Sequence, residues 1–107
     1  GKEKRDLLFI SDLINFVDLA IKKQKNNYEL YNAGSGKLIS VNELIKKIIK
    51  IYGNKISATN DLTKKTLKTF VCLNCNKARK ELGWYPKVSL ENGIKKTIDW
   101  YLKNINH

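Results

Sequence analysis

The sequence predicts an α/β chain of mixed α+β character, with three main helices, one short helix and short strands arranged in two small sheets. Three observations carry this. Apolar residues recur at helical spacing in three separate windows. Apolar runs too brief for helices lie between those windows. Residues that cap helices, and glycines that end them, fall at the borders. A length of 107 residues leaves room for a single domain, 1–107. A domain in this size range hides roughly 60–70% of the surface that its unfolded chain exposes.

Leu7, Leu8, Phe9 and Ile10 form a short apolar run suited to a buried strand. Ser11 or Asp12 offers a side-chain oxygen to the free amides of the following helix. In that helix Leu13, Phe16, Val17, Ala20 and Ile21 share one face, and Asn26 and Asn27 break it. Residues 28–32 read as a strand, and Ala33, Gly34, Ser35 and Gly36 as a tight turn. Ser40 and Glu43 are spaced as a capping box, with the hydroxyl reaching the amide of residue 43 and the carboxylate reaching back. Such a cap contributes about 1 kcal/mol. Leu44, Ile45, Ile48, Ile49 and Tyr52 then make a buried stripe, and Gly53 is a left-handed stop. Residues 55–58 read as a strand, 59–68 as a polar loop and 70–73 as a further strand. A short helix over 77–82 follows, with Asn74 or Asn76 as its cap and Gly83 as its stop. Trp84, Tyr85 and Pro86 form an aromatic connector. Ser89 caps the last helix, which carries Leu90, Ile94, Ile98, Tyr101 and Ile105 on one face.

The composition is that of a globular domain, 42% hydrophobic and 29% charged. No apolar run approaches the roughly 18 residues that span a bilayer. The charged start, Gly1 to Asp6, shows no signal peptide, which in a fragment says little about the parent protein; the expectation is a cytoplasmic location without membrane partners. The net charge is +11, from 19 lysines and 2 arginines against 10 acidic residues. Such a charge admits a free-standing module for nucleic acid or another polyanion. The lysines, however, are dispersed over three helices and are not interleaved with arginines and aromatics as a base-stacking surface would be. A surface that uses lysine by default is the simpler reading, and nucleic acid is not the expected partner.

Gly34-Ser35-Gly36-Lys37 superficially resembles a phosphate loop, but Tyr31 stands where the first glycine is needed and Leu38 where serine or threonine is needed. A glycine turn between a strand and a helix accounts for it. Cys72 and Cys75 have CxxC spacing, yet a structural zinc site needs four ligands and there is no second cysteine pair. Two ordinary thiols in a reducing compartment are expected. His107 is the sole imidazole and sits at the last position, which weighs against Ser-His or Cys-His catalysis. Glu91 and Asp99 lie eight apart on one helix and read as a solvated face. No catalytic residue and no metal ligand is assigned.

Four ordered segments carry a family resemblance. Arg5-Asp6-Leu7-Leu8-Phe9-Ile10-Ser11-Asp12 resembles the arginine-aspartate-aromatic-apolar-aromatic-valine-x-aspartate segment of extended short-chain dehydrogenases, which epimerise, dehydrate or reduce sugar nucleotides. Tyr31-Asn32-Ala33-Gly34-Ser35-Gly36, followed by Ile39, Ser40, Val41, Glu43 and Leu44, resembles their glycine-serine-glycine turn and capped helix. Asn76-Lys77-Ala78-Arg79, with Glu81, Leu82, Gly83, Trp84 and Pro86, resembles their serine-lysine-alanine to glycine-tryptophan-x-proline segment. Residues 89–101 resemble their final helix. Together the segments cover nearly all of residues 5–104.

The resemblance implies that this is the C-terminal, substrate-binding part of an NAD-dependent epimerase or dehydratase of Rossmann type. On this reading the N-terminal domain that binds NAD or NADP is absent from the chain, which alone holds no cofactor and is inactive. It also implies a nucleotide-diphospho-sugar as ligand, with Arg5 at its diphosphate, in the synthesis of surface polysaccharide. A guanidinium fork pairs bidentately with phosphate oxygens. Arg79 also matches the family and reads as structural or solvated. The family's second phosphate-facing arginine precedes the strand over 70–73. Here residues 62–69 hold neither arginine nor proline, and Asn74 stands in place of an aspartate. Lys65 or Lys68 can serve there as a point charge, with less geometric definition. The family's chemistry needs a tyrosine with a lysine four residues later, and none of Tyr28, Tyr31, Tyr52, Tyr85 and Tyr101 has one. Helices that would pack on the absent domain leave apolar patches, so self-association is expected.

Overall fold

A computed structural model describes residues 1–53, 56–65 and 70–105. Three main helices and one short helix are present: α1 (Ile10–Lys23), α2 (Val41–Tyr52), α3 (Asn76–Leu82) and α4 (Leu90–Ile105). The strands are shorter and lie elsewhere than the apolar runs predict. β1 (Lys4–Arg5) pairs antiparallel with β2 (Ile39–Ser40), Lys4 opposite Ser40 and Arg5 opposite Ile39. Phe70 adds a single parallel bridge to Lys4.

The helix borders follow from local chemistry. Ser40 Oγ accepts from the amide of Glu43 at 3.1 Å, and Ser89 Oγ accepts from that of Asn92 at 3.2 Å. Each bond satisfies one of the donors that a helix start leaves free. Gly83 ends α3 in the left-handed region, φ +66°, where a side chain would crowd the backbone. Gly53 ends α2 at φ +115° and ψ 160°. That conformation also suits glycine, but it is not the left-handed helical stop expected. For α3, Asn74 Oδ1 accepts from the amide of Asn76 at 3.0 Å, while the capping position belongs to Cys75.

α1 departs from expectation at its start. It begins at Ile10 with Phe9 at the cap position, so Ser11 and Asp12 lie inside its first turn. The Asp12 carboxylate is buried and reaches across the fold, accepting from the amides of Lys87 and Val88 at 3.0 Å each. Its own carbonyl accepts from Trp84 Nε1 at 2.9 Å. Asp12 thus fastens α1 to the connector before α4.

Residues 7–9, 28–32 and 71–73 belong to no ladder among the described residues, with Ile10 already in α1. Residues 56–58 are irregular, and Lys55 lies outside the described residues. In place of two small sheets, the described residues hold one ladder and one bridge. Polar side chains take over part of what a neighbouring strand would do. The amide of Leu73 donates to Asp6 at 3.2 Å, and the carbonyl of Leu30 accepts from Lys77 Nζ at 2.9 Å. Buried backbone groups need a partner, but not a particular kind of partner.

The core has two parts. In the first, Ala78, Leu82 and Trp84 are fully buried between α1 and α3. The Phe16 ring stands edge-on to Trp84 at 5.4 Å and to Tyr31 at 5.9 Å, a geometry that aromatic quadrupoles favour. In the second, α2 packs on α4, and Lys47 pairs with Glu91 at 2.7 Å. A cleft of about 750 Å³ lies between them, lined by Leu7, Phe9, Leu44, Ile48, Ile94 and Ile98 among others. Gly93 is buried where α4 meets Phe9, and a Cβ there would come within 3.2 Å of the ring.

Replacing Asp12 with alanine leaves two partly buried amides without their acceptor. The expected loss is about 3 kcal/mol of unfolding free energy, read from urea denaturation followed by tryptophan fluorescence. A loss below about 1 kcal/mol would mean that the carboxylate does not hold the connector.

Candidate substrate-binding edge

β1 places Arg5 at an exposed edge, where its Nη1 donates to the carbonyl of Lys4 at 2.9 Å. The next residue, Asp6, is half-buried and meets two other segments. Asp6 Oδ1 accepts from the Ser35 amide at 2.7 Å and the Ser35 hydroxyl at 2.6 Å. Its Oδ2 accepts from the Gly36 amide at 3.0 Å and the Leu73 amide at 3.2 Å. Burial pushes the Asp6 carboxyl up, but the bonds from Ser35, Leu73 and Gly36 together outweigh it and hold the group below its ordinary value.

The glycines of the turn allow this approach. A Cβ on Gly34 would lie 2.9 Å from Asp6 Oδ2 and 3.0 Å from Leu73 Cδ1, and Gly36 has φ +72°. Successive amides pointing into one concavity make an anion site. In this chain the anion is Asp6, which accounts for a Gly-Ser-Gly-Lys sequence that is not a nucleotide loop. The same observation bears on a dinucleotide: the amides of this turn that could face a pyrophosphate are already taken, and no tyrosine has lysine at the required offset. The amides of Ser35 and Gly36 are therefore not available to a pyrophosphate while Asp6 holds them.

The structure places the other expected residues less closely. Lys65 is exposed on the loop where Lys64 N bonds Asp61 O at 3.4 Å. Lys68 lies outside the described residues. The chain returns to the edge at Phe70, bridged to Lys4, whose ammonium stands 6.0 Å from the ring. Arg79 is exposed and lies against Tyr85, 5.6 Å from the ring centre. Cys72 and Cys75 are free thiols. Among the described residues no three His, Cys, Asp or Glu side chains converge to hold a metal. Sequence reasoning missed Asp6, Ser35, Gly36 and Leu73 as a unit. The available signal was a turn built to hold an anion but lacking the residues of a phosphate motif, in a chain with an aspartate directly after Arg5.

The family model described as GDP-mannose 4,6 dehydratase matches residues 1–97. The chain belongs to the NAD-dependent epimerase/dehydratase family. A UDP-glucuronate 4-epimerase from Thermodesulfobacterium geofontis is 31% identical over 98% of the chain and 32% of its own length. The dTDP-glucose 4,6-dehydratase of Haemophilus influenzae is 30% identical over 97% of the chain and 34% of its own length. Among solved structures, a UDP-glucose 4-epimerase from Thermotoga maritima with UDP-glucose superposes with a TM-score of 0.88. It is 33% identical, over 99% of this chain and 34% of that one. The Bordetella bronchiseptica enzyme WbmF, in complex with NAD+ and UDP, gives 0.78 at 33% identity over 95% of this chain and 30% of that one. This family member therefore spans about a third of the length of the relatives it matches. The α+β architecture expected from the sequence is that of Rossmann-type epimerases and dehydratases over the matched region.

The depressed Asp6 carboxyl sets a pH dependence. Its contribution is fully present above the unfolded value, about 3.9, and is lost as pH falls through the lower folded value. The gap in unfolding free energy between the native chain and Asp6→Asn is expected to be widest near neutral pH and to close in acid. Urea midpoints measured from pH 7 downward test this; a constant gap would show that the carboxylate charge is immaterial.

Proposed function

We propose that the chain is the substrate-binding part of a sugar-nucleotide epimerase or dehydratase, with Arg5 at the diphosphate of a nucleotide-diphospho-sugar. The supporting observation is the position of Arg5: an exposed guanidinium at the end of a ladder whose next residue is fixed by four hydrogen bonds. A permanently charged planar fork held at a defined edge suits phosphate oxygens. Relatives named for epimerisation and dehydration of nucleotide sugars support the ligand class. The likeness to an epimerase solved with UDP-glucose also supports it.

On this reading NAD or NADP and the tyrosine-lysine pair belong to an N-terminal domain outside these 107 residues, and this chain forms the C-terminal domain. It contributes recognition of the sugar nucleotide and no proton or hydride step of its own. Lys65 and Lys68 are the cations available for a second phosphate contact. The setting is cytoplasmic synthesis of surface polysaccharide. No helix among the described residues is long and apolar enough to cross a membrane.

The missing partner has a surface to meet. Ile10, Ile14, Val17 and Ile21 make one exposed stripe along α1, with Ile14 62% and Ile21 79% exposed. Tyr28 and Leu30, also exposed, add to the apolar surface of the extended segment that follows. In the whole enzyme this surface packs on the cofactor domain, and in the isolated chain it drives self-association. Sedimentation at rising concentration is expected to show dimers or larger species that Val17→Lys disperses. A strict monomer at high concentration contradicts this use of the stripe.

Ligand binding separates the proposal from a polyanion module. Titration with UDP-, dTDP- and GDP-linked sugars is expected to give weak saturable binding. Arg5→Ala should weaken it about tenfold or more, as loss of a charge-assisted contact does. Tight, salt-dependent binding of single-stranded RNA that is indifferent to Arg5→Ala would favour the nucleic-acid reading instead.

A further inference from the structure

We infer that Asp6 is a positioning residue for diphosphate recognition, acting through Arg5 without touching the ligand. The inference rests on the assignment of Arg5 above. It is carried by the convergence of three separate segments on one carboxylate. β1 ends at Arg5, the turn 34–36 presents three donors, and the segment that returns past Lys4 at Phe70 presents the amide of Leu73. Each oxygen of Asp6 accepts two bonds, so the carboxylate fixes where β1 leaves the ladder and how the 70–73 segment lies beside it. Because Arg5 is the immediately preceding residue, its backbone has little freedom left once Asp6 is bound.

The donor set also predicts how a substitution fails. The two donors at Oδ2, Gly36 N and Leu73 N, are backbone amides that cannot turn into acceptors. At Oδ1 the Ser35 hydroxyl can reverse its role, but the Ser35 amide cannot. Asparagine therefore loses at least one bond in either orientation. The milder loss sets its amide nitrogen against Ser35 and keeps its oxygen for Gly36 and Leu73.

The experiment compares the native chain with Asp6→Asn, Arg5→Ala and Asp12→Asn. The probes are UDP-glucose, dTDP-glucose and GDP-mannose, with the nitrogen resonance of the Arg5 side chain as a second readout. Asp12→Asn weakens the fold at the connector, away from β1, and is expected to leave the affinity of the folded chain unchanged. Asp6→Asn is expected to weaken binding roughly three- to tenfold and to reduce the shift of the Arg5 side chain on adding ligand. Should Asp6→Asn not fold, Ser35→Ala removes only the hydroxyl bond to Oδ1 and is expected to weaken binding by about two- to threefold. Native affinity in Asp6→Asn, or in Ser35→Ala if that variant is the one used, with Arg5→Ala impaired, overturns the positioning role and leaves Arg5 standing. An equal loss in Asp12→Asn overturns it as well, since a general weakening of the fold then explains the effect. A native chain that binds none of the probes, or an unimpaired Arg5→Ala, overturns the assignment of Arg5 itself.

Discussion

The carboxylate of Asp6 is the constraint on which the edge at β1 depends. A glycine turn with inward-pointing amides is an anion site wherever it forms, and a chain that leaves it empty carries unpaired donors. Here the site is closed from within. Asp6 draws the turn 34–36 and the amide of Leu73 to the end of β1, and the close fit of Gly34 leaves no room for a side chain at that junction. What remains at the surface is the neighbouring arginine.

Asp12 plays a parallel part six residues later. It carries no ladder and caps no helix, yet it satisfies two amides of the connector and positions the Trp84 indole through its own carbonyl. Trp84 then anchors the core between α1 and α3, with Phe16 edge-on against it. Two aspartates in one eight-residue segment thus tie that segment to the turn 34–36, to residue 73 and to residues 84–88. This explains how segments outside any ladder among the described residues are held in place.

The helices were legible in the sequence because their signals are local. Ser40, Ser89 and Gly83 sit next to the ends they define, and the apolar stripes repeat within each helix. The extended segments were misread because an apolar run records burial but not a pairing partner, and ladders join residues far apart. Residues 28–32 and 71–73 have strand-like composition but join no ladder among the described residues. Asp12 misled for the same reason: its position beside a helix start imitates a cap, while its true partners lie 75 and 76 residues away. The expectation of a phosphate contact at Arg5 comes from family resemblance and not from periodicity. Asp6, whose partners lie 29 to 67 residues away, left only the indirect trace of an anion turn lacking its phosphate motif.

In the function proposed above, recognition of the sugar nucleotide and possession of the cofactor are divided between two parts of one enzyme. A crystal structure of this chain with a nucleotide-diphospho-sugar bound tests that division most directly. The expected result is a diphosphate against the Arg5 guanidinium, with Asp6 still holding Ser35, Gly36 and Leu73. A diphosphate seated on the amides of Ser35 and Gly36, with Asp6 displaced, would contradict it.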